Sequence, residues 1–182
     1  TEDTQLEFDI MTGGTLREYM RMASGGTPAV IFNQDSRDID FRVLSDNLDP
    51  AFFVQGSDGN VGIGTSSPDA KLELETDGAD QELRLSCHSD TEAHTNTLSF
   101  LKSDNTAASP ATIDSGAVLG TIAYYGYDDN GYDTGAKVVV SADANWSSTE
   151  RGTKMSFYTR DANEALSENL IIGADGNVGI GV

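Results

Sequence analysis

The sequence predicts an all-β protein, and three observations lead to that prediction. Apolar and polar residues alternate in short runs, which is the period of a half-buried strand. Turn-rich segments containing Gly, Asp, Asn and Ser separate these runs, at a spacing typical of an antiparallel β-sandwich. No segment carries an apolar face at helical spacing over three turns.

A nine-residue phrase occurs twice, as GSDGNVGIG at 56–64 and as GADGNVGIG at 173–181. A short apolar run precedes each copy, so each unit has the order strand, Asp-Gly turn, strand, which predicts a β-hairpin. Gly62 and Gly64 lie on one face of the second strand and have no side chains to pack there. Glycine in a strand marks a bulge or the close approach of another backbone, so this pattern indicates an assembly of several chains.

The remaining strands follow from the same alternation. They are predicted at 6–10, 16–22, 39–43, 51–54, 71–75, 82–85, 97–101, 117–127, 136–141, 154–159 and 168–172.

The linker-like sequence Thr-Ser-Ser-Pro at 65–68 is the predicted boundary between two parts. Residues 1–67 are predicted to form an N-terminal β shaft-like module that ends in the first repeat. Residues 68–172 are predicted to form an antiparallel β-sandwich-like lobe, and residues 173–182 a second repeat that starts the next module. The chain begins without an initiator Met, as expected of a fragment of a longer protein.

Composition and charge exclude several classes of function. The formal net charge is −19 and the pI is about 4.1, which argues against binding to nucleic acid or to an acidic membrane surface. No apolar stretch approaches the roughly 18 residues of a membrane span. Cys87 is the single cysteine, so an intrachain disulfide is excluded. The hydrophobic share of 37% predicts a thin core, to which association with other copies would add buried surface.

Two acidic segments contain residue types that can ligate metal ions, but neither predicts a bound cofactor. His88, Asp90, Glu92 and His94 form a crowded set of ligand types, but their spacing fits no common zinc pattern and favours a solvated loop.

The second segment contains Asp128, Asn130 and Asp133, which resemble part of a calcium loop. The bidentate Glu that would complete such a loop is missing, and a hairpin turn centred on Asn-Gly explains the same residues. These three side chains remain weak candidates for metal ligands.

The sequence gives no indication of catalysis. Both histidines lie in one acidic segment, and no Gly-x-Ser-x-Gly elbow is present. The 30 acidic residues could form a close carboxylate pair by chance, so they carry little information. We therefore predict that the chain is not an enzyme.

Aromatic residues are the candidates for recognition of a receptor. Tyr125 and Tyr127 share one face of a predicted strand and Tyr124 lies on the other, so at least one of these faces is expected to belong to the core.

The predicted receptor- or glycan-binding residues lie nearby in the sequence. Trp146 occupies a polar loop beside Asp143 and Asn145, and Tyr132 follows the Asn-Gly turn. Aromatic faces next to carboxylates and amides suit the recognition of sugars.

The sequence resembles the tail fibres and tail spikes of bacteriophages. The phrase DGNVGIGTSSP at 58–68, followed by Lys71-Leu72, is similar to an element that recurs in that family. A longer series in family-like order leads into the second copy of the phrase; it comprises residues 116–126, 135–138, 152–157 and 166–170.

This resemblance implies an intertwined homotrimeric fibre, with short β-hairpin or triple-β shaft modules at the repeats and sandwich-like lobes between them. It implies a structural role in the tail fibre of a virion, outside the cell, with adjoining fibre segments and a host cell-surface glycan or protein as partners. It also implies that the parent chain continues into an intramolecular chaperone. Two alternatives stay open: a carbohydrate-binding module of a bacterial surface or secreted protein, and a glycan-degrading tail spike.

Overall fold

A computed structural model describes residues 5–23, 29–33, 36–162 and 165–181, which form fourteen strands. In the first part of the chain these are β1 Gln5–Thr12, β2 Thr15–Ala23, β3 Ala29–Phe32, β4 Phe41–Val43, β5 Phe52–Val54, β6 Val61–Ile63 and β7 Leu72–Leu74. In the second part they are β8 Asp104–Thr106, β9 Ser109–Ala111, β10 Val118–Asp128, β11 Gly131–Ala142, β12 Thr153–Arg160, β13 Leu166–Ile172 and β14 Val178–Ile180. The described residues contain no helix, so the all-β prediction is confirmed, and none of them forms a membrane-spanning helix.

The chain divides into two compact units, Thr1–Ser86 and Cys87–Val182. The first unit contains a three-stranded antiparallel sheet, β1-β2-β3, and a four-stranded sheet, β4-β5-β6-β7. Within the second of these sheets β7 runs parallel to β6, while the other neighbours are antiparallel. The division predicted at 67/68 passes between these two paired strands, whereas the compact units divide after Ser86.

The second unit is built on a five-stranded antiparallel meander, β10-β11-β12-β13-β14. Its strands follow one another in the sheet in chain order, so each connection is a hairpin. A two-stranded sheet, β8-β9, precedes it. The second repeat contributes β14 to this meander as its edge strand.

Each copy of the repeated phrase folds into a hairpin, as predicted, but the strand pairing differs by one residue: Val61 lies opposite Val54 in the first copy, whereas the equivalent Val178 lies opposite Ile172 in the second. The Asn60 N–H donates to Asp58 Oδ1 (2.9 Å), and the Asn177 N–H donates to Asp175 Oδ1 (3.0 Å). The glycine between each pair has a positive φ, 71° in the first copy and 81° in the second, a conformation that glycine adopts without steric cost. The Asp-Gly-Asn sequence therefore determines the turn locally.

The glycines of the first copy correct one expectation. A Cβ added to Gly62 would collide with the backbone oxygen of Thr65, and a Cβ added to Gly64 would collide with the backbone oxygen of Glu75. Both neighbours belong to the same chain. The inference that these two glycines require a second chain is therefore wrong, because the return of the chain into β7 already brings backbone against them.

Two predicted strands, at 82–85 and 97–101, are not strands in the structure. Between β7 and β8 no residue pairs in a sheet, and every residue from 75 to 103 is exposed. An alternating sequence becomes a strand only where another strand is available as a hydrogen-bonding partner. Among the residues that the structure describes, no strand pairs with either run.

The hydrophobic core is small, in line with the thin core predicted from composition. Phe53, Ile113 and Ala142 are the buried hydrophobic residues among those described. The chain exposes 13629 Å² of surface at a mass of 19.3 kDa, whereas two separate compact units of that combined mass would expose about 10,000 Å². Much of the apolar surface of the chain is therefore left uncovered.

Candidate recognition surfaces

The end of the β10-β11 hairpin carries four exposed tyrosines, which we call the tyrosine tip: Tyr124, Tyr125, Tyr127 and Tyr132. Their exposed fractions lie between 60% and 78%. Tyr127 and Tyr132 are directly opposite each other across the two strands, and their rings meet edge to face with centroids 5.1 Å apart. An edge-to-face pair of this kind holds both rings in fixed orientation.

The tyrosine tip contradicts the expectation that one face of this strand belongs to the core. Tyr124, Tyr125 and Tyr127 are all exposed. For Tyr125 and Tyr127 the reason lies in the lengths of the strands, because pairing of β12 with β11 begins only at Ala136, which lies opposite Tyr124. Beyond that residue the hairpin is two-stranded, and both of its faces are open.

A shallow cavity of about 260 Å³ lies beside the tyrosine tip, and Arg160 organises it. The Arg160 guanidinium donates from Nη2 to Asp133 Oδ1 (2.7 Å) and from Nε to the Thr134 carbonyl (2.8 Å). Tyr127 supplies an aromatic wall. The cavity therefore combines an aromatic face with a carboxylate and a guanidinium, the combination by which ligand sites orient polar molecules. Sequence reasoning missed Arg160, because its position depends on the register between β11 and β12.

The three weak metal candidates take part in the hairpin itself. Asp128 Oδ1 accepts hydrogen bonds from the backbone N–H groups of Asn130 (2.7 Å) and Gly131 (3.1 Å), which closes the turn. Asp133 forms the ion pair with Arg160. Among the described residues, no group of three or more His, Cys, Asp and Glu side chains has a metal-binding arrangement.

The Trp146 loop brings together the other three predicted recognition residues. Asn145 Oδ1 accepts the Ser115 N–H (2.7 Å), and the Asp143 carbonyl accepts the Ser115 hydroxyl (3.2 Å). The Trp146 indole N–H donates to the Gly152 carbonyl (3.3 Å), and its ring is half-buried. The ring lines a cavity of about 390 Å³ together with Phe100, Leu101, Lys102, Ser103 and Leu119.

The predicted recognition residues thus lie on two separate surfaces of the second unit. Asp143, Asn145 and Trp146 follow the end of β11, whereas Tyr132 lies near its start. Eleven residues of extended strand separate Tyr132 from Asp143, a distance of about 36 Å at the usual rise per residue. A single small ligand could not contact both surfaces.

Tyr158 and Glu168 form a hydrogen-bonded titratable pair in the second unit, across β12 and β13. The Tyr158 hydroxyl donates to Glu168 Oε1 (3.0 Å). Burial, followed by the nearby carboxylate, raises the pKa of Tyr158; the hydrogen bond from Ser156 is the main cause that lowers the pKa of Glu168. The pKa of Tyr158 therefore lies above its ordinary value and that of Glu168 below, which moves both groups away from neutral pH.

An apolar cavity of about 580 Å³ occupies the first unit. One phenylalanine from each of three strands lines it, and the ring centroids of Phe32 and Phe41 are 5.0 Å apart while those of Phe41 and Phe52 are 6.2 Å apart. Sequence reasoning did not single out this cavity. The sequence feature that could have indicated this cavity is a phenylalanine in each of three successive short strands, β3, β4 and β5.

The fold matches solved structures of a phage tail fibre. The carboxy-terminal domain of the bacteriophage T5 L-shaped tail fibre superposes with a TM-score of 0.64 at 12% sequence identity, over 98% of this chain and 79% of that one. The chain has the fold of a phage tail fibre domain. The same T5 domain with its intramolecular chaperone domain gives a TM-score of 0.64 at 12% identity, and this chain spans 54% of that longer one.

The structural likeness confirms the resemblance predicted from the sequence, at the level of the fold. Neither the protein-family models nor the curated proteins give a significant match to this chain.

Proposed function

We propose that this chain is a structural segment of a phage tail fibre, on the outside of the virion, and that three copies assemble around a common axis. The tail fibre fold supports the proposal. The observation that carries it is the uncovered apolar face of β1, where Leu6, Phe8 and Ile10 alternate along one side with exposed fractions between 52% and 55%.

Such a face has a physical consequence for the isolated chain. Burying one large aliphatic or aromatic side chain contributes about 1.5–3 kcal/mol, and a contiguous apolar patch on a soluble protein marks an interaction surface. Three alternating side chains on β1 form a row that another copy can cover. In a trimer each copy contributes the same row, so one sequence supplies both sides of every contact.

The trimer predicts a mass in solution of about three times 19.3 kDa, measured by light scattering coupled to size-exclusion chromatography. Phe8→Ser is expected to lower the trimer fraction at a given concentration, because it removes the central ring of the apolar row. Asp9→Ser, on the opposite face of the same strand, serves as the control and should leave the trimer fraction unchanged. A monomer or a dimer of the unaltered chain would contradict the proposal.

We further propose that the tyrosine tip contributes to host attachment by binding a cell-surface glycan. The support is the cavity beside Tyr127, in which Asp133 and Arg160 offer a carboxylate and a guanidinium next to an aromatic ring. The apolar faces of sugar rings pack on aromatic side chains, and sugar hydroxyls bond to charged groups at the rim. The edge-to-face contact with Tyr132 keeps this ring in place without a ligand.

Replacement of both Tyr127 and Tyr132 by Ala is expected to weaken binding to a panel of bacterial surface polysaccharides by about tenfold or more, a loss of at least about 1.4 kcal/mol. Binding would be measured on immobilised polysaccharide, with the trimer mass as the control for folding. Trp146→Ala is the matched comparison and is expected to retain binding. The reverse result, loss with Trp146→Ala alone, would assign recognition to the Trp146 loop.

The alternative functions have distinct outcomes in the same experiments. A carbohydrate-binding module would bind sugar as a monomer, and a glycan-degrading spike would release reducing sugar from host polysaccharide. The structural neighbours are tail fibre domains, which supports the structural role over both.

A further inference from the structure

The turn of the β10-β11 hairpin contains the only Asn-Gly dipeptide of the sequence, Asn130-Gly131. Asp128 lies opposite Gly131 across the two strands, so Asp129 and Asn130 form a two-residue loop at the end of the hairpin. Asn130 is exposed, and its side chain has no hydrogen-bonding partner among the residues that the structure describes. The side-chain amide of Asn130 is therefore solvated and able to rotate toward the backbone of the next residue.

An asparagine in this position can react with the backbone that follows it. The Gly131 nitrogen loses its proton and attacks Cγ of Asn130, which forms a new C–N bond and closes a cyclic imide. The bond from Cγ to Nδ2 breaks, and Nδ2 leaves as ammonia together with the proton. Water then adds to either carbonyl of the ring and opens it, which leaves an aspartate or an isoaspartate at position 130. Water enters and ammonia leaves, so no further reactant is needed.

The identity of the following residue favours this reaction at Asn130. Gly131 has no side chain to crowd its nitrogen, and nothing lies within 4 Å of the place that a Cβ would occupy. Because both reacting groups belong to neighbouring residues, their effective concentration is high. Every other asparagine of the chain precedes a residue that has a side chain.

Asn177 is the matched comparison within the same molecule. It is also exposed, and its N–H donates to Asp175 Oδ1 two residues earlier, as the Asn130 N–H donates to Asp128 Oδ1. Two features differ. The side-chain amide of Asn177 donates to Asp175 Oδ2, and the next residue is the β-branched Val178. We therefore expect Asn177 to be much less reactive than Asn130.

Asp128 restrains the reaction at its first step. Asp128 Oδ1 accepts the N–H of Gly131 (3.1 Å), which is the proton that the attacking nitrogen must lose. This hydrogen bond to a charged acceptor has to open before the attack. The negative charge of the carboxylate also disfavours a second negative charge on the nitrogen beside it.

We propose that Asn130 is a site of spontaneous deamidation, and that Asp128 sets the rate by holding the Gly131 N–H. The product adds a negative charge to the tyrosine tip, and the isoaspartate form also adds a methylene group to the main chain of the loop. The rings of Tyr127 and Tyr132, 5.1 Å apart and adjacent to this loop, are the first side chains that a longer loop would displace. The inference requires neither the trimer nor the glycan binding proposed above.

Peptide mass spectrometry of the intact protein, sampled during incubation at neutral and at mildly alkaline pH, tests the site. The replacement of the amide by a carboxyl group is expected to accumulate at Asn130 at least about tenfold faster than at Asn177, a difference of about 1.4 kcal/mol in activation free energy. The rate at Asn130 should rise with pH, because the Gly131 nitrogen must lose its proton. Equal rates at the two asparagines, or no conversion at Asn130, would overturn the proposal and leave the proposed function intact.

A pair of variants tests the role of Asp128. Asp128→Ala is expected to speed the reaction at Asn130 by at least about threefold, because the Gly131 N–H loses its acceptor. Asp129→Ala removes the same charge from the next residue but keeps that hydrogen bond, and it is expected to react as the unaltered chain does. The readout is the ratio of the rates at Asn130 and Asn177 in one sample, so a general loosening of the fold does not imitate the effect. A ratio that Asp128→Ala leaves unchanged would overturn the role of Asp128.

Discussion

Replacing Gly64 by Ala is expected to destabilise the first unit by about 2–5 kcal/mol, whereas the same replacement at Gly181 is expected to cost about 1–2 kcal/mol. The two glycines occupy equivalent positions in the two copies of the repeated phrase. Both have a positive φ, 80° at Gly64 and 67° at Gly181. An alanine therefore meets the same backbone penalty at either position, about 1–2 kcal/mol.

The difference between the two positions comes from what lies opposite them. A Cβ at Gly64 would run into the backbone oxygen of Glu75, directly after β7, while a Cβ at Gly181 meets nothing within 4 Å in its own chain. Backbone cannot rotate away as a flexible side chain can, so the sheet must shift, at a cost of about 1–3 kcal/mol or more.

Denaturant unfolding at one fixed chain concentration measures both losses, because assembly makes the apparent stability depend on concentration. Gly181→Ala is the matched control, since it carries the backbone penalty without the collision. Equal losses of stability in the two variants would contradict the claim that the backbone oxygen of Glu75 is what requires glycine at position 64.

The same pair of glycines illustrates which features could be predicted from the sequence. The hairpin turns follow from the Asp-Gly-Asn sequence alone, because Asp58 and Asp175 bond to amides two residues away. The parallel pairing of β7 with β6 depends on how the chain returns after the hairpin. Alternation along Lys71–Glu75 predicts a strand there, but it does not name the neighbour of that strand.

The recognition surfaces show the same limit of prediction from sequence: local geometry can be predicted, but the contacts between strands cannot. Asp143, Asn145 and Trp146 come together because they are close in sequence, whereas alternation predicted a covered face among Tyr124, Tyr125 and Tyr127 that the structure does not have. Whether the tyrosines of β10 are covered depends on where β12 stops pairing with β11, which is at Ala136. The local sequence pattern does not predict that end point. The alternating run at 82–85 is a further case, because its pattern predicts a strand, whereas the structure assigns none there.

Phe53→Ala is expected to lower the free energy of unfolding of the first unit by about 3–5 kcal/mol, because it removes a buried ring and leaves a cavity. Phe53 is 2% exposed, in the second strand of the four-stranded sheet, and lies opposite Gly62 in the adjacent strand. Among the described residues of the first unit, the other buried apolar side chains are Pro50 and Pro68, which lie outside the four strands. The strands of this sheet therefore contain no second buried aromatic or aliphatic side chain that could compensate.

Thermal unfolding followed by circular dichroism at fixed chain concentration checks this result, with Phe53→Leu as the graded control. Leucine keeps most of the apolar volume, so its loss should stay below about 1.5 kcal/mol. The comparison separates two sources of stability, since Phe53 is buried by its own chain, while in the proposed trimer other copies cover the apolar row on β1. A loss below about 1 kcal/mol for Phe53→Ala would contradict an own-chain core at this position, and the first unit would then depend on assembly alone.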